Sequence, residues 1–114
     1  MIKSPIHYQN IQEITELYLG GEETPSSVVK HFLERIEIFD SAHLSYATVM
    51  GDQALVQAET LSKELGDGKV RGPPHGIPVA VKDLCYTTGV RTMGGTAVLE
   101  ENIPDYDSTV VSRL

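Results

Sequence analysis

The sequence has no tryptophan, one cysteine and two phenylalanines in 114 residues, and it is short of positive charge, with 9 Lys and Arg against 16 Asp and Glu for a formal net charge of −7. Each shortage excludes something. A negative surface repels phosphate backbones, and the basic residues are scattered rather than clustered, so no direct nucleic-acid binding is expected. Cys85 forms neither an intramolecular disulfide nor a metal-ligand pair with another thiol, which favours a reducing compartment. No apolar stretch approaches the ~18 residues of a membrane span. No apolar run follows Met1-Ile2-Lys3-Ser4-Pro5, as a secretory signal would require. The expectation is a soluble, cytoplasmic protein with no membrane contact. Nothing in the sequence sets an oligomeric state.

What is present is 40% hydrophobic and 22% charged residues, ordinary for a folded domain. Ile11, Ile14, Leu17 and Tyr18 recur at helical spacing, and Gly20-Gly21 ends that segment. Thr24-Pro25 reads as an N-cap followed by proline at the first helical position. The helix it starts carries an apolar stripe of Val28, Val29, Phe32, Leu33, Ile36 and Phe39. Leu44 to Met50 reads as a short strand. Asp52 is expected to cap a third helix with Ala54, Leu55, Ala58, Leu61 and Leu65 on its apolar side, closed by Gly66-Asp67-Gly68. No internal repeat or low-complexity tract interrupts the chain.

The character changes at Gly72. Gly72-Pro73-Pro74-His75-Gly76 is turn-rich, and Ile77-Pro78-Val79-Ala80-Val81 is a β-prone run. A loop of small and polar residues follows from Thr87 to Thr96. Asp107 or Ser108 then caps the start of another helix with Val110, Val111 and Leu114. A domain seldom ends in the middle of such a pattern, so truncation is expected.

Both faces of the run Ile77–Val81 are apolar, which predicts that both are covered and that Lys82 at its end is partly buried. Desolvation disfavours a charged ammonium and makes a lysine a proton acceptor near neutral pH. On pattern alone the commoner fate of a lysine is the other one, reaching water or pairing with a carboxylate such as Asp83.

The residues Gly72-Pro73-Pro74-His75-Gly76-Ile77-Pro78-Val79-Ala80-Val81-Lys82-Asp83 resemble the segment of the amidase signature family that carries its catalytic lysine. The likeness continues through Gly89, Thr92 and Gly95 and into Asp107-Ser108-Thr109-Val110-Val111-Ser112-Arg113-Leu114. Pro74 stands where leucine is common, and Leu84-Cys85 where some members have asparagine and an aliphatic residue. The resemblance implies an α/β fold, a mixed central sheet flanked by helices. This chain is expected to be the N-terminal portion of that single domain, incomplete and truncated in the helix after the lysine-motif loop.

The resemblance further implies an amidase that hydrolyses carboxylic amide C–N bonds through a Ser-Ser-Lys triad. A neutral lysine takes a proton from one serine, which in turn deprotonates the serine that attacks the carbonyl. Backbone N–H donors stabilise the oxyanion. Lys82 is the one triad residue matched here, and both serines are expected in a Gly/Ser-rich stretch beyond Leu114. The substrate class is a small-molecule amide, with no cofactor and no metal. Two alternatives accompany this reading: the glutamine-hydrolysing subunit of a tRNA-dependent amidotransferase, and a non-catalytic fragment acting only as a binding module.

No serine within the chain substitutes. Ser26, Ser27 and Ser62 fall in predicted helices, Ser41 and Ser45 flank a predicted strand, and Ser108 and Ser112 lie in the terminal helix. None has the glycine-flanked tight turn that exposes a nucleophile. The fragment alone is therefore predicted to be inactive. His7, His31, His43 and His75 lack metal-ligand spacing, and His75 reads as a hydrogen-bonded turn residue. Cys85 reads as an inert thiol, Glu100-Glu101 as a solvated face, and Gly94-Gly95 as loop without an assigned role.

Overall fold

Side-chain caps start the first two helices. Asn10 accepts from the Glu13 N–H (3.0 Å) and the Glu13 carboxylate accepts from the Asn10 N–H (2.8 Å), a reciprocal box that opens α1, Ile11–Leu19. Thr24 and Ser27 make the same exchange at the start of α2, Pro25–His43, with Pro25 at its first position as the sequence predicts. The third helix, α3, spans Gly51–Gly66. Its expected cap is corrected: Met50 holds the N-cap position without a side-chain bond, and Asp52 sits in the first turn, where its charge favours the helix dipole. A short α4, Thr109–Ser112, and 3-10 turns at Ile6–Tyr8 and Ala97–Leu99 complete the elements. This is a computed structural model that describes residues 4–114. Met1, Ile2 and Lys3, on which part of the no-signal reading rests, lie outside the described residues.

The chain divides into two units. The first comprises the chain up to Ser45 together with Met50–Pro78. Its core is Ile14 and Tyr18 of α1 against Val28 of α2, with Ile6, Phe32, Leu65 and Ile77 packed around them. Each fully buried aliphatic side chain of this kind contributes about 1.5–3 kcal/mol of transfer free energy. The apolar stripe of α2 is buried only at its start: Val28 and Val29 are enclosed, Phe32, Leu33 and Ile36 half-buried, and Phe39 exposed beneath the Arg35 guanidinium, 5.0 Å from the ring centre.

The second unit comprises Tyr46–Val49 and Val79–Leu114. It is held by main-chain pairing between two irregular stretches. Ser108 N–H donates to Tyr86 C=O, Thr88 N–H to the Asp107 carboxylate, Gly89 N–H to Pro104 C=O and Thr92 N–H to Asn102 C=O, at 2.7–2.9 Å. Residue numbers rise on one side as they fall on the other, so the stretches run antiparallel. The Asn102 amide returns a bond to Thr92 C=O, and the Tyr86 and Tyr106 rings meet at 5.3 Å.

The expected α/β fold with a mixed central sheet is corrected. Among the described residues the regular structure is helical, no strand is present, and the nearest approach to a ladder is an isolated bridge between Thr87 and Val90. Leu44–Met50 is irregular, opening with Leu44 in the left-handed region (φ 51°, ψ 44°) after α2 overruns to His43, and Ile77–Val81 likewise has no ladder partner among the described residues. An apolar run becomes a strand only when another segment offers matching N–H and C=O groups. Pro78, which has no N–H, weakens the second run as a pairing edge.

Candidate active site around Lys82

The lysine motif begins in the first unit as a turn fastened to all three long helices. Thr15 Oγ1 of α1 lies 2.9 Å from Pro73 C=O, and the Tyr18 hydroxyl donates to Gly76 C=O at 3.0 Å. Arg71 forms a two-pronged ion pair with Glu64 of α3. His75 is buried; its Nε2 donates to Leu61 C=O of α3 (2.9 Å) while its Nδ1 accepts from Arg71 N–H (3.2 Å). Both ring nitrogens are thereby satisfied in one neutral tautomer. His75 is a hydrogen-bonded turn residue whose two ring nitrogens both bond main-chain groups.

Gly76 explains its own place in the motif. It is buried at φ +72°, and a Cβ there would stand 2.5 Å from Pro25 Cγ and 2.8 Å from Pro25 Cβ. Both the backbone conformation and the space demand glycine.

From Val79 onward the motif belongs to the second unit. Lys82 is exposed, as are Val79, Ala80 and Val81, so the expected covering of both faces is not present in this chain. Nor does Lys82 pair with Asp83. The Lys82 carbonyl accepts from Leu84 N–H (2.7 Å) and Cys85 N–H (3.0 Å), forming a tight turn around the residue. Asp83 faces elsewhere: its Oδ1 accepts from Met93 N–H (2.9 Å) and its main-chain carbonyl from Gly94 N–H (2.7 Å). Gly94 and Gly95 both lie at positive φ, +60° and +76°. The sequence alone assigns neither Asp83 nor these glycines a role. The available signal is an aspartate directly after the lysine and a glycine pair about ten residues on.

Ser26, Ser27 and Ser62 serve structural hydrogen bonds. Ser62 Oγ donates to Ala58 C=O (2.7 Å) and accepts from Ser26 N–H (3.1 Å), so the 3.0 Å contact with Ser26 Oγ uses the Ser26 proton. Ser27 is taken up by its capping box and by Glu23. Ser108 Oγ is buried without a partner among the described residues, at the N-cap of α4. His7 Nδ1 and His31 Nε2 stand 2.9 Å apart with their rings stacked. Burial, then the charge of Arg35, then His31 hold His7 below its ordinary value. Among the described residues no group of three or more His, Cys, Asp or Glu is arranged to hold a metal ion, and no helix is long and apolar enough to cross a membrane.

The amidase family model matches residues 27–114, which takes in α2 from its third residue onward, α3, the lysine turn and the paired stretches after it. The chain belongs to the amidase family. It is 38% identical over 104 residues to a putative amidase, AmiD, of Mycobacterium tuberculosis, covering 91% of this chain and 22% of that protein. It is 39% identical over 108 residues to a subunit of the glutamyl-tRNA(Gln) amidotransferase of Thioalkalivibrio sulfidiphilus, covering 95% and 22%. The corresponding subunit of Carboxydothermus hydrogenoformans is 36% identical over 109 residues, covering 96% and 22%. The chain thus spans about a fifth of the length of the curated relatives it matches.

Proposed function

We propose that this chain is the N-terminal portion of a single amidase domain and supplies the lysine base of an enzyme that hydrolyses small carboxylic amides. The observation that carries the reading is the motif from Gly72 to Asp83, lying inside the family match and ending in a lysine on a hydrogen-bonded turn. In the proposed reaction Lys82, neutral in the complete protein, takes a proton from a relay serine. That serine deprotonates the nucleophilic serine, whose Oγ attacks the amide carbon. The amide nitrogen receives that proton back from Lys82 through the relay serine and leaves as ammonia, and water then releases the acid from the acyl-enzyme. Both serines are expected, from the resemblance, in a Gly/Ser-rich segment further along the complete protein. The chain itself contributes the base and its mounting, needs no cofactor, and has no amidase activity alone.

A second reading has a specific observation behind it. Relatives named as subunits of a glutamyl-tRNA(Gln) amidotransferase match at the same level of identity as the relative named as an amidase. In that case the amide is glutamine and the ammonia passes to an acceptor. A third reading, a fragment that only binds a partner, is favoured if translation stops directly after Leu114.

Ammonia release by the complete protein from glutamine and from a panel of simple amides tests the proposal. Hydrolysis of simple amides without a partner supports the amidase. Turnover of glutamine alone, rising when partner proteins are added, supports the amidotransferase reading. No release from any amide overturns both.

A further inference from the structure

We propose that Asp83 is a positioning residue for Lys82, its carboxylate and carbonyl together fastening the Met93-Gly94 backbone to the turn that carries the lysine. The inference rests on the function proposed above and concerns a residue that does not itself touch substrate. A lysine carries its amine on a flexible four-carbon stem, so the placement of its Cα decides where the amine reaches. An error of about 1 Å in a reacting group costs roughly a hundredfold in rate.

The turn at Lys82 is closed from within by Leu84 N–H and Cys85 N–H on the Lys82 carbonyl. Closure alone leaves the turn free to move as a body. Asp83 removes that freedom by accepting two consecutive N–H groups, Met93 on Oδ1 at 2.9 Å and Gly94 on its main-chain oxygen at 2.7 Å. The first is a charge-assisted bond, stronger than its neutral counterpart. Thr92, next to this pair, is buried and exchanges two hydrogen bonds with Asn102. One peptide unit from Lys82, the chain is therefore tied to the main-chain zipper that holds the second unit together. Gly94 serves the geometry: its φ of +60° turns its N–H to Asp83, and a Cβ there would meet nothing closer than 4.0 Å, so the need is conformational rather than steric.

The test compares Asp83→Ala with Asp83→Asn in the complete protein. Asparagine keeps an oxygen that accepts from Met93 N–H; alanine keeps none. Hydrogen exchange at the Met93 amide is expected to accelerate roughly tenfold or more in Asp83→Ala and to stay within about threefold of wild type in Asp83→Asn. For amide hydrolysis, kcat is expected to fall roughly a hundredfold in Asp83→Ala with KM within about twofold, and asparagine is expected to restore most of the rate. Unchanged Met93 exchange in Asp83→Ala overturns the clamp, and faster exchange with normal kcat overturns the positioning role. If alanine prevents folding, the folded asparagine variant decides: a large loss of kcat there shows that charge, not the hydrogen-bond acceptor, is what matters, and overturns the proposal. A wild-type protein with no Lys82-dependent turnover overturns the amidase reading itself. That failure is told apart by the exchange measurement, which needs no activity.

Discussion

The hydroxyl of Tyr18 in α1 donates a 3.0 Å hydrogen bond to the carbonyl of Gly76, 58 residues further along the chain. The contact is buried and fixes the turn that precedes the lysine. Tyr18→Phe leaves that carbonyl unpaired and is expected to cost about 1–2 kcal/mol in urea unfolding. Gly76→Ala adds a methyl against Pro25 at a positive φ and is expected to cost roughly 2–4 kcal/mol. Burial, and then Glu23, raise the Tyr18 phenol far above its ordinary 10.0, so the folded chain holds that proton more tightly than the unfolded one. The associated stability is present below pH 10 and lost as pH rises beyond it. A wild-type stability in Gly76→Ala contradicts this packing.

Acid is expected to weaken the chain in two stages. His7 sits below its ordinary 6.5 in the folded state, so the unfolded chain binds more protons just below that value and stability falls with pH from 6.5 downward. Asp107, held below 3.8 by the Thr88 backbone N–H and then by its side chain, contributes stability that is present above 3.8 and lost below it. Urea midpoints measured from pH 7 to about pH 3 should show both steps. His7→Gln should remove the upper one. A midpoint that ignores pH between 6.5 and about 5 contradicts the His7–His31 account.

Large apolar side chains are open to solvent in each unit: Ile38 and Val56 in the first, at 66% and 64% exposure, and Val79 and Val81 in the second, at 58% and 43%. Surfaces of this kind bind apolar dyes and drive self-association. Residues 1–114 alone are expected to bind such a dye and to sediment heterogeneously as concentration rises. A monomer with a sharp melt and no dye binding contradicts the expectation that further chain covers these residues.

The legibility of the sequence follows the range of the interactions. Thr24-Pro25 can be read directly because a cap and an N1 proline act within four residues. The run Ile77–Val81 cannot: whether an apolar pentapeptide pairs depends on a partner segment, and among the described residues none supplies a ladder. His75 is readable as a turn residue, yet its partner Leu61 C=O and the pressure of Pro25 on Gly76 come from helices that only folding brings near. Lys82 stands out through a motif rather than through physics. Its exposure in this chain shows that an apolar approach does not by itself bury a lysine. Asp83 is visible in the sequence only as the last residue of the motif, because the Met93 and Gly94 N–H groups it accepts from are brought near by folding alone.

The role proposed for Lys82 as the base in amide hydrolysis is tested by the rate of ammonia release from the complete protein beside its Lys82→Ala variant. Alanine is expected to lower turnover by at least about a thousandfold while the melting temperature and circular dichroism stay as in wild type, because members of a catalytic unit act together. Near-normal turnover in a folded Lys82→Ala protein would contradict it.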